Sequence, residues 1–205
     1  MRSKALTSDF PDGFLRDVFR GVVLSYETAH DILTQQFDHE GEDEPEFRNA
    51  LPWLRRSLVE QALRIAAVKH SPTVQVTPER SGGFWWHRRV ECGRVQLTQS
   101  THDDVGKPLR PARYKDDYAK QQMLFEKHEV GADGAMYAVL LHHGAWRSYA
   151  PDFVVIKFPD SDLSWHPEVI DLTAEFTDCA VATDVQVEEV ADLAAPVLRR
   201  RQANG

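Results

Sequence analysis

SGGFWWHRRVECGRVQLTQS, Ser81 to Ser100, decides how this chain is read. Residues alternate on either side of Cys92-Gly93, the pattern of a β-hairpin closed by a glycine-containing pair. A two-residue turn there sets Glu91 opposite Arg94 and Val90 opposite Val95. One side of the hairpin then carries Phe84, Trp86, Val90, Val95 and Leu97, interrupted by Arg88. The other carries Trp85, His87, Arg89, Arg94, Gln96 and Thr98. The two adjacent tryptophans must diverge: Trp86 is expected to pack, and Trp85 to lie among cations.

Outward from the hairpin the pattern changes on both sides. Upstream, Leu15, Val18, Phe19, Val22, Tyr26, Ala29, Leu33 and Phe37 recur at three- and four-residue steps, which predicts a helix with one apolar face and Asp12 as its cap. The block DHEGEDEPE breaks that spacing as a solvated loop. Phe47, Leu51, Leu54, Leu58, Ala62 and Ile65 then resume it as a second helix, with Pro52 expected in its first turn. Two helices joined by a short loop predict an antiparallel hairpin. TVQVT reads as a short strand ending at Pro78.

Downstream, HDDVGKPLRPAR is a loop, and Tyr114, Tyr118, Gln122 and Phe125 support a helix from Ala112 to Glu126. AMYAVLLHH and DFVVIKF are nearly continuous apolar runs, expected of central strands covered on both faces. PDSDLSWHP reads as a polar turn, EVIDL as a short strand, and TDVQVEEVADLAAPVLRRR as a closing helix. Strands that arrive in runs predict an α+β fold: an N-terminal helical hairpin, then a mixed or largely antiparallel sheet of five to six strands with helices packed on it. The division is 1–70 for the helical hairpin and 71–205 for the sheet unit, or one continuous domain.

The chain has 205 residues, 42% hydrophobic and 27% charged, with a formal net charge of −8. That size supports a core without staples, and Cys92 and Cys179 form no CxxC pair, so a cytoplasmic protein with free thiols is expected. No apolar run is long enough for a bilayer. The net charge opposes indiscriminate nucleic-acid binding. Charge is nonetheless segregated, since Arg88, Arg89, Arg94, Lys107, Arg110, Arg113 and Lys115 make the middle of the chain basic between acidic flanks.

Motifs of chemistry are sparse. His102, Asp104, His142 and His143 are the candidate metal ligands, with His87 and Asp152 behind them. Yet His142 and His143 are strand neighbours that point to opposite faces, and no HExxH or CxxC spacing occurs. PDFVVIKF supplies Asp152 and Lys157 of a nuclease-like pattern, but Val155 stands where the second carboxylate belongs. No GxSxG elbow or phosphate loop is present, and no motif calls for a cofactor. The polar side of the hairpin remains: Trp85, His87, Arg89 and Arg94 combine a stacking surface with cations. That mixture suits a protein partner, a second copy of the chain included, or single-stranded nucleic acid. The sequence thus leads to a non-catalytic binding or adaptor protein, with a metal-dependent phosphodiesterase or nuclease as the alternative.

Overall fold

Apolar residues repeating along one helical face need a partner surface, and the first two long helices supply it to each other. A computed structural model describes residues 2–37, 44–81, 85–109, 112–119, 136–160 and 162–177, with only the backbone of Ser81 and Trp85. Helices α2 (Phe14–Phe37) and α3 (Pro45–Lys69) pack antiparallel. The Phe14 and His70 rings lie 5.7 Å apart at one end, and Phe37 and Phe47 6.0 Å apart at the other. Midway, Gly21 lets the helices touch, because a Cβ there would come within 2.8 Å of the Ala62 methyl. Pro45, not Pro52, takes the first turn of α3, where a missing N–H is harmless; Pro52 lies inside the helix.

A short helix, α1 (Arg2–Asp9), was not legible in the sequence. It is tied down at both ends. Arg2 pairs with Asp160 at 2.9 Å, and the Ser3 N–H and hydroxyl donate to Glu168 at 2.8 and 2.6 Å. Asp9 accepts from the Arg94 N–H at 3.2 Å, and its carbonyl accepts from the Cys92 thiol at 2.8 Å.

The sheet has six strands in sequence order: β1 (Gln75–Ser81), β2 (Trp85–Cys92), β3 (Val95–Thr101), β4 (Met136–His143), β5 (Phe153–Pro159) and β6 (Trp165–Asp171). Every neighbouring pair is antiparallel except β3 and β4. Those two are parallel because the chain leaves β3 and returns to β4 by a long crossover. That crossover contains helix α4, residues 113–119. Helix α5 (Leu172–Phe176) follows β6, capped by Asp171, which accepts from the Ala174 N–H. The architecture is α+β.

β1 runs through Pro78 rather than stopping there. As an outer strand, β1 has a side on which a missing N–H breaks no ladder bond. β6 likewise begins earlier than EVIDL, at Trp165. The predicted helix Ala112–Glu126 is described only to residue 119, and the acidic loop from Asp38 to Asp43 and the closing helix fall outside the described residues.

Both faces of the sheet are covered. On one, Val90, Val95, Leu97, Leu140, Val154 and Ile156 share a core with Leu6, Phe14, Val18, Val22, Leu63 and Leu172 from the helices. On the other, Tyr137, Val139, Leu141 and Val155 pack under Leu109, Tyr118, Ala119 and Leu163. β4 is buried from Met136 to His142, as its continuous apolar run predicts.

Candidate functional site

The hairpin of the opening stretch is real, but its turn comes one residue later than expected. Cys92 pairs with Val95, Glu91 with Gln96 and Val90 with Leu97, leaving Gly93-Arg94 as the two-residue turn. Gly93 has φ +54° and Arg94 is not in the left-handed region, the pattern of a II′ turn with glycine first. Moving the turn by one residue shifts each cross-strand partner by two positions. The sides of the strands are unchanged, so Val90, Val95 and Leu97 still face the core.

Pairing then stops after three residue pairs, whereas β1–β2 and β3–β4 each continue for seven. Extending the β2–β3 register would set Arg88 opposite Gln99 and His87 opposite Ser100. Instead the strands part as a fork, and side chains occupy the gap. From α3, the Glu60 carboxylate accepts the Arg88 backbone N–H at 2.8 Å on Oε2 and the Gln99 side-chain amide at 2.8 Å on Oε1. The carboxylate bonds the two residues that a continuous ladder would have paired. Burial raises the Glu60 carboxyl above the ordinary glutamate range, against the bonds from Gln99 and Arg88.

Behind Glu60 runs a buried polar chain. Gln99 Oε1 lies 3.0 Å from His142 Nε2, and His142 Nδ1 lies 2.9 Å from the Tyr26 hydroxyl. His142 is fully buried, and burial with the Arg55 charge lowers its pKa to about 3, so it is neutral at pH 7. Arg55, stacked over Tyr26 at 4.4 Å, donates to the carbonyls of Gly144 at 2.8 Å, Ala145 at 3.1 Å and Ser148.

On the opposite face, α4 closes the fork. Tyr114 stacks on His87 at 3.9 Å between ring centroids, and buried Lys115 donates to Ser100 Oγ at 3.0 Å. His87 is 2% exposed. Its Nε2 stands 3.4 Å from Glu79 Oε2 without hydrogen-bond alignment, and its Nδ1 has no hydrogen-bond partner among the described residues. Burial lowers its pKa, although Glu79 pulls the other way. Glu79 is engaged elsewhere: Tyr118 donates to Oε2 and Arg89 pairs with Oε1 at 2.9 Å. Burial and that bond raise the Tyr118 hydroxyl well above its usual range.

The residues expected to form one binding surface are therefore dispersed. His87 and Arg89 lie together beneath Tyr114 and Tyr118, because a helix covers the polar side of the hairpin. Arg94 is at the other end of β2–β3, its Nε 3.4 Å from Asp9. The Trp85 side chain lies outside the described residues. Trp86, expected to pack, is 60% exposed. It sits on the core-facing side of β2, but beyond the length over which the strand meets β3.

The metal candidates do not converge. His102 presents Nδ1 to the Asp104 carbonyl at 2.6 Å and Nε2 to the Pro108 carbonyl at 3.1 Å. His142 is held by Tyr26 and Gln99 as above. His143 pairs with Asp152 at 3.2 Å near the surface. Among the described residues no three His, Cys, Asp or Glu side chains are grouped as metal ligands.

Two fork residues, Glu60 and Gln99, escaped the sequence reading, and Lys115 entered it only as one cation of the basic middle segment. Glu60 left a trace, since it lies between Val59 and Ala62-Leu63 in the buried stripe of α3, where a charge is out of place. Comparison with known protein families, curated proteins and solved structures finds no match. Among the described residues no helix is long and apolar enough to cross a membrane.

Proposed function

We propose that this chain is a cytoplasmic binding protein, not itself catalytic, whose partner docks on a tryptophan–arginine ridge at the mouth of the fork. The observation that carries this reading is the pair of exposed indoles, Trp53 at 51% and Trp86 at 60%. Both extend in the same direction from the Glu60–Arg88 bond. Along α3, Arg56 lies one turn away and Trp53 nearly two, about 6 and 10 Å. Along β2, Trp86 lies one strand repeat beyond Arg88, roughly 7 Å, with Arg80 as its cross-strand neighbour. α3 packs on β1 and β2 and leads into β1, so helix and strand advance together.

Tryptophan and arginine dominate the energetic anchors of protein interfaces, and exposed aromatic patches mark interaction sites. The ridge is cationic on a chain of net charge −8, which favours an acidic protein partner. A second copy of this chain supplies such acids in the segment from Glu27 to Glu46. The buried free thiol of Cys92 is in keeping with a reducing compartment.

Light scattering at two protein concentrations, with and without a short single-stranded oligonucleotide, tests the reading. The expected result is concentration-dependent self-association that the Trp53→Ala/Trp86→Ala variant loses while its stability stays within about 0.5 kcal/mol of the parent. Binding of the oligonucleotide that weakens steeply with salt replaces the protein partner with nucleic acid. A monomer at both concentrations that ignores the oligonucleotide removes both.

A further inference from the structure

We propose that Glu60, Gln99, His142 and Tyr26 form a proton-operated switch, in which the ionisation of Glu60 at the fork sets the tautomer of His142 and the hydrogen-bond role of Tyr26. The geometry leaves few choices. Arg88 contributes a backbone N–H, which only donates, so Glu60 Oε2 must accept. With Glu60 ionised, Oε1 also only accepts, and Gln99 must present its NH₂ group to it. The Gln99 oxygen then faces His142 Nε2, which must carry the ring proton. His142 Nδ1 is left as an acceptor, and the Tyr26 hydroxyl donates to it. Every bond in the chain points toward Glu60.

A proton taken up from solvent on Oε1 reverses the chain. Oε1–H donates, so the Gln99 amide turns over to present its oxygen. Its NH₂ now faces His142 Nε2, which must accept. His142 gives up the proton on Nε2 and gains one on Nδ1 through exchange with water, and donates to the Tyr26 oxygen. Only Glu60 changes its proton count, and His142 is neutral in both states. Tyr26 keeps its hydroxyl proton but must direct it away from His142. The chain therefore carries the charge state of the fork through the helix–sheet core to Tyr26, on which Arg55 and its hold over the 144–148 loop rest.

Charged and titratable neighbours bias the two states. Glu60 faces Arg56 on its own helix, Arg88 on β2 and Tyr114 on α4; His142 faces Arg55, Arg56 and His143. The arginines favour the ionised chain, and burial favours the protonated one.

Glu60→Gln tests the switch, because its oxygen must take the Arg88 N–H and its NH₂ must then face Gln99, as in the protonated state. Nitrogen-15 NMR of the His142 ring reads the result. The expected outcome is protonation on Nε2 in the parent at neutral pH and on Nδ1 in Glu60→Gln. Should that variant fold poorly, the parent suffices: on acidification the ring proton should move from Nε2 to Nδ1 in step with the carbon-13 shift of the Glu60 carboxyl. The same tautomer in parent and variant, Nδ1–H in the parent at neutral pH, or a change that does not follow Glu60 overturns the proposal.

Discussion

The two edges of β2 behave differently. Toward β1 the strand is paired over seven of its eight residues, from Trp85 with Ser81 to Glu91 with Gln75. Toward β3 it is paired over three residues and then opens around Glu60, His87, Gln99 and Lys115. The difference follows from what each edge must bury. The β1 side of the ladder includes exposed Thr77, Pro78 and Arg80, so water can satisfy its polar side chains. The β3 side lies inside the sheet, covered by α3 on one face and α4 on the other. There the apolar pairs Val90–Leu97 and Cys92–Val95 close the ladder, and beyond them side chains reach in from the helices: Glu60 bonds the Arg88 N–H and Gln99, Lys115 bonds Ser100, and Tyr114 stacks on His87. A polar insertion within a sheet is held where neighbouring layers supply hydrogen-bond partners, as α3 and α4 do for Arg88, Gln99 and Ser100.

Three measurements put that contrast to the test. The largest effect belongs to the closed segment. Leu97→Ala should lower the free energy of unfolding by about 2–5 kcal/mol in denaturant melts, because its side chain is fully buried against both helices and sheet. A loss below 1 kcal/mol would mean that this segment is no tighter than the fork.

The next effect is a pH dependence. His142 has a folded pKa of about 3 against 6.5 for a free histidine, and that of His87 is lowered as well. The unfolded chain therefore binds more protons between these limits. Their contribution is present above pH 6.5 and is lost as the pH falls toward 3, at a slope approaching about 1.4 kcal/mol per pH unit for His142. Glu60 acts oppositely. Its raised pKa means that stability is lost as the pH rises through the folded value, which partly offsets the histidines just above pH 4.5. Unfolding midpoints measured from pH 7 to pH 4 should fall; a level profile between 6.5 and 5 would contradict the buried, neutral His142.

The smallest effect has the opposite sign. Among the described residues, buried His87 has no hydrogen bond to either ring nitrogen and stacks on Tyr114, so His87→Phe should raise stability by about 1 kcal/mol. A destabilised variant would show that His87 makes a polar contact in solution.

Much of this was legible in the sequence. The apolar spacing of α2 and α3 placed both helices, since a stripe of large residues at helical period has one economical solution, burial against another element. The continuous runs in β4 and β5 announced central strands for the same reason. The fork was not legible, although its two strands were. Alternation assigned His87 and Arg89 to a polar side, but whether that side meets water depends on the crossover after β3. That crossover places Tyr114 and Tyr118 over them. Trp86 fails in the mirror-image way: the pattern assigns it to the core side, and the core ends before reaching it.

The residue pattern alone thus determined the α+β class, the helical hairpin, the order of the strands and the side on which Val90, Val95 and Leu97 face the core, because these depend on periodicity and burial within a few residues. The tertiary structure alone decided where the β2–β3 ladder stops, that Trp86 is exposed, and that Glu60, Gln99, His142 and Tyr26 meet. Those outcomes depend on contacts between α2, α3, β3 and β4, elements separated by up to 116 residues, and hydrogen-bond complementarity over such a span leaves no period in the chain.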